Sequence, residues 1–213
     1  MAYHHGDLRH ALLKGALELL AEGGPSHLTL RGAARRAGVS VAAPYRHFTD
    51  KRALLAAVAE DGFLAMQRAC DDAIASGDDD VIARFWRHGM AYVRFAVENP
   101  AQYRVMFGPE LADKRVYDDL YRAARAAFGS LEASLALCAE AGLFDAGEIE
   151  LRAMRAWALV HGLASLFLDG QLNVDEVLSK EIFLARVGEV LSLGGLSSES
   201  APDGLPRRRK PTI

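Results

Sequence analysis

The stretch around Gly38 constrains the fold of this chain more than any other. It reads Leu28-Thr-Leu-Arg-Gly-Ala-Ala-Arg-Arg-Ala-Gly38-Val-Ser-Val-Ala-Ala-Pro-Tyr45-Arg-His-Phe48-Thr-Asp-Lys51. The pattern predicts two short helices joined by a tight turn. Ala33, Ala34 and Ala37 fall on the inner side of the first helix, and Arg31, Arg35 and Arg36 on the outer side. Gly38, with no Cβ to clash, can take the left-handed conformation that ends a helix. Val39 is an apolar plug after the turn, and Ser40 is placed to N-cap the second helix. Three alanines let two backbones come close, as a helix-turn-helix requires. Pro44 and Phe48 point inward from the second helix. Ala42, Ala43 and Arg46 point outward, with Val41, Tyr45 and His47 on the flanks. Such a unit lays its second helix in a DNA major groove.

Helical periodicity continues along the chain, and no stretch alternates as a strand does. The reading is all-α with about nine helices. The first starts at Asp7, its N-cap, and Gly23-Gly24-Pro25 ends it. After the two-helix motif, Thr49 or Asp50 caps a helix from Lys51 to about Ser76. Further helices are expected over Val81–Glu98, Ala101–Phe107, Asp113–Ala141, Gly147–Asp169 and Asp175–Leu193. Residues 1–50 read as a helix-turn-helix domain, 51–195 as a larger C-terminal domain, and 196–213 as a disordered basic tail. The helix over Gly147–Asp169 has Trp157, His161, Ala164 and Leu168 on one stripe and Leu159, Leu163 and Leu166 on the opposite one. Ala158, Gly162 and Ser165 form a small-residue side between them. A helix apolar all round must be buried all round, which asks for a partner on one side. In the last helix Leu178, Ile182 and Ala185 share one line.

Net charge is −3 over 213 residues, which taken alone argues against a nucleic-acid partner. Its distribution argues the other way. Residues 1–60 hold eight Lys/Arg against five Asp/Glu, and the rest hold 17 against 23. A basic end on an acidic body suits phosphate contact by that end. Cys70 and Cys138, the two cysteines, read as small buried apolar residues of a reducing compartment. Without a signal-peptide run or a membrane-length apolar segment, the expectation is a cytoplasmic protein that does not engage a membrane. Tyr3, His4 and His5 form a short arm. A frayed terminus is favoured there over a DNA-touching arm or a metal site with His10.

The run Tyr45-Arg46-His47-Phe48-Thr49-Asp50-Lys51 resembles the DNA-binding domain of the tetracycline-repressor (TetR) family, over roughly Asp7 to Leu55 without a gap. The resemblance implies that Tyr45, His47 and Lys51 hold phosphates and that Thr29 and Arg31 contact the backbone. The readout face is poor in hydrogen-bonding groups. Val41, Ala42 and Ala43 can touch thymine methyls, and Arg46 alone can make a bidentate bond to guanine. Taken singly, Tyr45 also reads as a packing residue and His47 as a plain surface histidine. Trp157, His161 and Gly162 resemble the W…HG signature of one TetR subgroup, whose last two helices form the dimer.

The resemblance implies a homodimer on a near-palindromic DNA operator, most simply a repressor released by a small-molecule effector. A ligand-sensing activator or protein-recruiting module is the alternative, and a helical enzyme with a vestigial motif a more distant one. Phe63, Phe85, Trp86, Tyr103, Phe107, Trp157 and His161 are the candidates for lining an effector cavity. Aromatics at helical spacing are also ordinary core, and His161 also reads as a core histidine with one satisfied nitrogen. No cofactor, metal ligand set or catalytic residue is assigned. The adjacent pairs Asp71-Asp72 and Asp118-Asp119 face different directions on a helix and read as solvated surface.

Overall fold

Two glycines at positive φ punctuate the N-terminal part of the chain, Gly24 at 66° and Gly38 at 67°. In the computed structural model, which describes residues 5–75, 80–172 and 178–193, helix α1 runs His5–His27. It begins two residues before Asp7, so Asp7 lies within it and is not its cap. The non-helical Gly23 and Gly24 interrupt it where the glycine pair was expected to end it. Helix α2, Leu30–Arg36, is capped by Thr29, whose Oγ1 accepts from Gly32 N at 2.9 Å. It ends as Gly38 requires: Gly38 N donates to Arg35 O and Val39 N to Ala34 O, at 3.2 and 3.0 Å, the paired bonds of a Schellman stop.

The second helix of the motif is tighter and shorter than expected. It is a single 3-10 turn, Ala43–Arg46, whose N-cap Ala42 makes no side-chain bond. Ser40 is not its cap and contributes a carbonyl instead, accepting from Ala43 N at 3.0 Å. Pro44 explains this. With no N–H to donate it fits only the opening turn, while its own carbonyl accepts from both His47 N and Phe48 N at 2.9 Å.

Asp50, rather than Thr49, caps α3 (Lys51–Ala75), accepting from Ala53 N at 2.8 Å. Asp80 caps α4 (Val81–Glu98) in the same way, and α5 (Pro100–Phe107) follows the break at Asn99. Helix α6 spans Asp118–Glu140, not from Asp113. The Asp113 side chain caps a separate 3-10 turn, Lys114–Val116, and extended Tyr117 divides that turn from α6. Helices α7 (Ile149–Leu168) and α8 (Lys180–Leu193) close the fold. Ser179 Oγ accepts from Ile182 N at 3.3 Å at the start of α8; residues 173–177, where that helix was expected to begin, lie outside the described residues, as do the Met1–His4 arm and the basic tail. The eight α-helices and the recognition turn follow the expected order, and no strand occurs among the described residues.

Helix α3 packs against α4, α5 and α6, and α1 reaches both α2 and α5. One apolar cluster joins Leu12, Ala16 and Phe48 through Leu54, Val58 and Phe63 to Val93, Met106 and Leu191. A smaller cluster holds Phe85, Leu131, Leu135, Cys138 and Ala153. Cys70 and Cys138 are free and buried, and burial pushes the Cys70 thiol up to about 12. No described helix is long and apolar enough to cross a membrane.

Two features of this packing are measurable. A Cβ on Gly15 would lie 2.8 Å from Ala33 O and 2.9 Å from Arg36 Cβ, atoms that cannot swing away. Gly15→Ala gains roughly 1 kcal/mol of helix propensity but forces α1 and α2 apart, at a cost of about 1–3 kcal/mol. Denaturant titration is expected to show a net loss of stability. The second feature is His88, 5% exposed, whose imidazole burial pushes down to about 4 despite the opposing charge of Asp71. Between pH 6.5 and about 4 the unfolded chain takes up a proton that the folded chain does not. Stability therefore falls as pH falls through that window, by on the order of 3 kcal/mol at its lower end. His88→Gln is expected to flatten this slope.

Candidate nucleic-acid interface and ligand cavity

The recognition turn is anchored by the residues expected to face inward, Pro44 and Phe48, both buried. Its outer surface is open. Val41 and Tyr45 are 51% and 53% exposed, Ala42 and Arg46 are exposed, and Ala43 and His47 are half-buried. The 3-10 geometry rearranges the face expected from an α-helix. Positions three apart eclipse one another, so Tyr45 stands over Ala42 and Arg46 over Ala43. Tyr45 thus joins the open side, and Ala43 is less available than expected.

The cations around this turn divide into two groups. Arg36 is tied to Glu22 at 2.7 Å and Glu18 at 3.6 Å, which raises its pKa and lowers that of Glu22. Arg52 donates to Glu110 O at 3.1 Å. Arg31, Arg46 and Lys51 form no ion pair among the described residues, and Lys51 opens the N-terminus of α3. Thr29 is exposed, and its hydroxyl proton is still available while its oxygen caps α2.

The far end of α3 borders a cavity of about 1930 Å³, larger than the ~300–1,000 Å³ common for small-molecule sites. Of the expected aromatics, Phe63, Phe85, Trp86, Phe107 and Trp157 line it. Tyr103 and His161 do not. They line a separate recess of about 160 Å³ with Arg104 and Ser165, and Phe107 is the wall between the two spaces. The Tyr103 and Tyr92 hydroxyls lie 2.7 and 3.0 Å from His161 Nδ1, and 3.2 Å from each other. Burial lowers the His161 pKa and raises those of both tyrosines. The His161 ring is thus held by two hydroxyls, with Phe107 packed edge-on at 4.6 Å.

Sequence reasoning missed several cavity residues: His88, Phe128, Phe144 and a row of cations including Lys114 and Arg155. His88 lies one helical turn before Tyr92 on the inner side of α4, a spacing that was available to find it. The acid pairs are surface features, with Asp71 accepting from Ser130 Oγ at 2.5 Å and Asp119 paired to Arg122.

Helices α7 and α8 leave apolar surface uncovered. Leu151, Met154 and Leu166 are 59%, 56% and 45% exposed on α7, and Ile182 is 49% exposed on α8. Ala158 and Ala185 are exposed, and Gly162 and Ser165 are half-buried. Leu178 departs from the expectation: it is half-buried and packs on the protein's own core.

The model described as the tetR family of bacterial regulatory proteins matches residues 12–58, and the one described as the tetracyclin repressor-like C-terminal domain matches residues 85–188. The nucleoid occlusion factor SlmA of Marinobacter nauticus is 32% identical over 103 residues, 48% of this chain and 52% of that protein. The class C tetracycline repressor of Escherichia coli is 52% identical over 52 residues, 24% of each chain. The chain thus spans about half the length of the first relative and a quarter of the second. A solved structure of a Rhodococcus sp. RHA1 protein of unknown function superposes with a TM-score of 0.75 at 33% identity, over 91% of this chain and 98% of that one. With both halves matched in order, on a fold that carries the open recognition turn at one end of α3 and the cavity at the other, the chain belongs to the tetR family of bacterial regulatory proteins.

Proposed function

We propose that this protein is a homodimeric, effector-responsive transcriptional regulator acting as a repressor. Residues 1–50 form its DNA-binding head, and residues 51–195 its effector-binding and dimerisation body. One observation carries the reading: α3 is a single rigid helix with Lys51 beside the recognition turn at its start and Phe63, Met66 and Cys70 on the cavity wall. At 1.5 Å per residue, Lys51 and Phe63 are roughly 18 Å apart along the axis. A change at the cavity therefore tilts the groove-reading end without an intervening joint.

In a dimer two such turns, about 34–36 Å apart, enter successive major grooves of a near-palindromic operator. Arg46 supplies base readout, Val41 and Ala42 contact thymine methyls, and Thr29, Arg31, Tyr45, His47 and Lys51 hold phosphates. Specificity at the remaining positions comes from DNA shape. The effector acts only through its affinity difference between the DNA-competent and released geometries, about 1–3 kcal/mol in comparable systems. The uncovered face of α7 and α8, with Ala158, Gly162, Ser165, Ile182 and Ala185, seats the second subunit.

Two measurements test these assignments. In a gel shift on the chain's own upstream DNA, Arg46→Ala is expected to lose about 1–3 kcal/mol of discrimination at one base position per half-site. Lys51→Ala is expected to weaken all sequences alike and to reduce the salt slope by about 1 per half-site. Parent-like binding by both variants would remove the turn from the groove. For the dimer, Gly162 has no atom within 4 Å of where its Cβ would lie, so a larger side chain fits the chain's own fold. Gly162→Leu is expected to preserve helical content while shifting sedimentation toward monomer. An unchanged sedimentation profile would take this face out of the interface.

A further inference from the structure

The charges lining the large cavity run against the chain's overall balance. Five cations, Lys114, Arg115, Arg125, Arg152 and Arg155, border it with two carboxylates, Asp113 and Glu148. Three of the cations are answered. Arg115 pairs with Asp113 at 3.0 Å, Arg152 with Glu148 at 2.9 Å, and Arg125 with Glu132 at 3.7 Å. Lys114 has no carboxylate within 4 Å among the described residues, although it is half-buried. Its Nζ sits 5.8 Å from the centroids of both Phe63 and Phe107. These rings offset part of the loss of water, and burial still lowers the ammonium pKa. An ammonium held beside these two lining rings, with no carboxylate within 4 Å among the described residues, can pair with a negatively charged ligand group.

Much of the remaining wall is aromatic and aliphatic, including Phe85, Trp86, Phe128, Leu131 and Trp157. The neutral His88, 5% exposed, keeps its Nδ1 without a hydrogen-bond partner there. A ligand suited to these surroundings has a long apolar body and one negatively charged end.

We infer that the effector is an amphiphilic anion, its carboxylate or phosphate paired with Lys114 and its apolar body laid along Phe63, Phe107 and Trp157. This rests on the reading of the cavity as the effector site.

Both tryptophans of the chain, Trp86 and Trp157, line the cavity, so intrinsic fluorescence of the full chain reports its occupancy. Dodecanoate, dodecan-1-ol and dodecylammonium, titrated below their aggregation concentrations, present one body with three end charges. Dodecanoate is expected to bind about tenfold tighter than the alcohol, the size of one charge-assisted hydrogen bond at a half-buried site. The ammonium is expected to bind weakest. Lys114→Gln should bring carboxylate and alcohol to equal affinity while leaving the alcohol unchanged. Lys114→Arg should keep the preference, and Arg122→Gln, a cation away from the cavity, should not alter it. If all three probes bind alike, the anion assignment is overturned, and if Lys114→Gln retains the preference, the pairing of the anion with Lys114 is overturned; in either case the cavity reading stands. If none of them changes the fluorescence, the cavity reading falls with it.

Discussion

Helix α3 is buried along an unbroken run from Leu54 to Ala59, and the arrangement of the other helices follows from that burial. The run alternates bulk with small residues, Leu54 and Leu55 before Ala56, Ala57, Val58 and Ala59. One turn later Gly62 brings α5 so close that a Cβ there would meet Met106 Sδ at 2.6 Å and Gln102 Cγ at 2.9 Å. The approach is fixed by polar bonds as well as by shape. Buried Gln102 donates from Nε2 to Val58 O at 3.1 Å and to Asp61 Oδ2 at 3.3 Å. A close-packed interior transmits displacement instead of absorbing it. Helices α3 and α5 are thus packed as one unit, and α1 is joined to it through the Arg9–Glu60 pair at 3.0 Å and its packing on α5.

Charge is segregated on this frame. Among the described residues Arg31, Arg46 and Lys51 of the recognition end form no ion pair, while Arg36 is tied to Glu18 and Glu22. That pairing is intramolecular support for the α1–α2 crossing, and because it is exposed it adds little stability. The acidic body would repel a phosphate backbone if its charge were spread evenly. Of the body's described cations, five border the cavity, and three of those are paired with carboxylates. The net basic surplus lies in residues 1–60, so attraction to a phosphate backbone is strongest at that end.

The parts of this fold that were legible from the sequence are those decided by local chemistry. Gly38 at positive φ, the inward Pro44 and Phe48, a cap at Thr49 or Asp50, and the break at Asn99-Pro100 are each fixed within a few residues. What was not legible depends on partners distant in sequence or on competition between local signals. Gly15 reads as a weak helix residue until Ala33 O is placed against it. Ser40 and Asp113 are good caps by residue type, yet Pro44 tightened one helix into a 3-10 turn and Tyr117 delayed the other. Tyr103 shares its spacing with the cavity aromatics, and only its bond to His161 shows that it faces another recess. Leu178 shares a line with Ile182 and Ala185, but the core claims it first.

Helix α7 ties the cavity to the proposed dimer face. Leu151, Arg155, Trp157 and Leu159 border the cavity, and Ala158, Gly162 and Ser165 lie on the side left open for a second subunit. Trp157 belongs to both settings, touching Phe107 and Phe128 with ring centroids 6.4 and 5.9 Å apart while remaining 38% exposed. In the proposed dimer, a molecule seated between α3 and α7 would press on two helices with different tasks, one aiming the recognition turn and the other setting the angle between subunits. The two responses need no separate pathway. In that proposed arrangement displacement of α3 would change where each head points, displacement of α7 would change how far apart the heads stand, and operator binding would require both to be correct at once. A two-state response can therefore arise from a modest differential affinity, because the duplex tests the product of two geometric conditions.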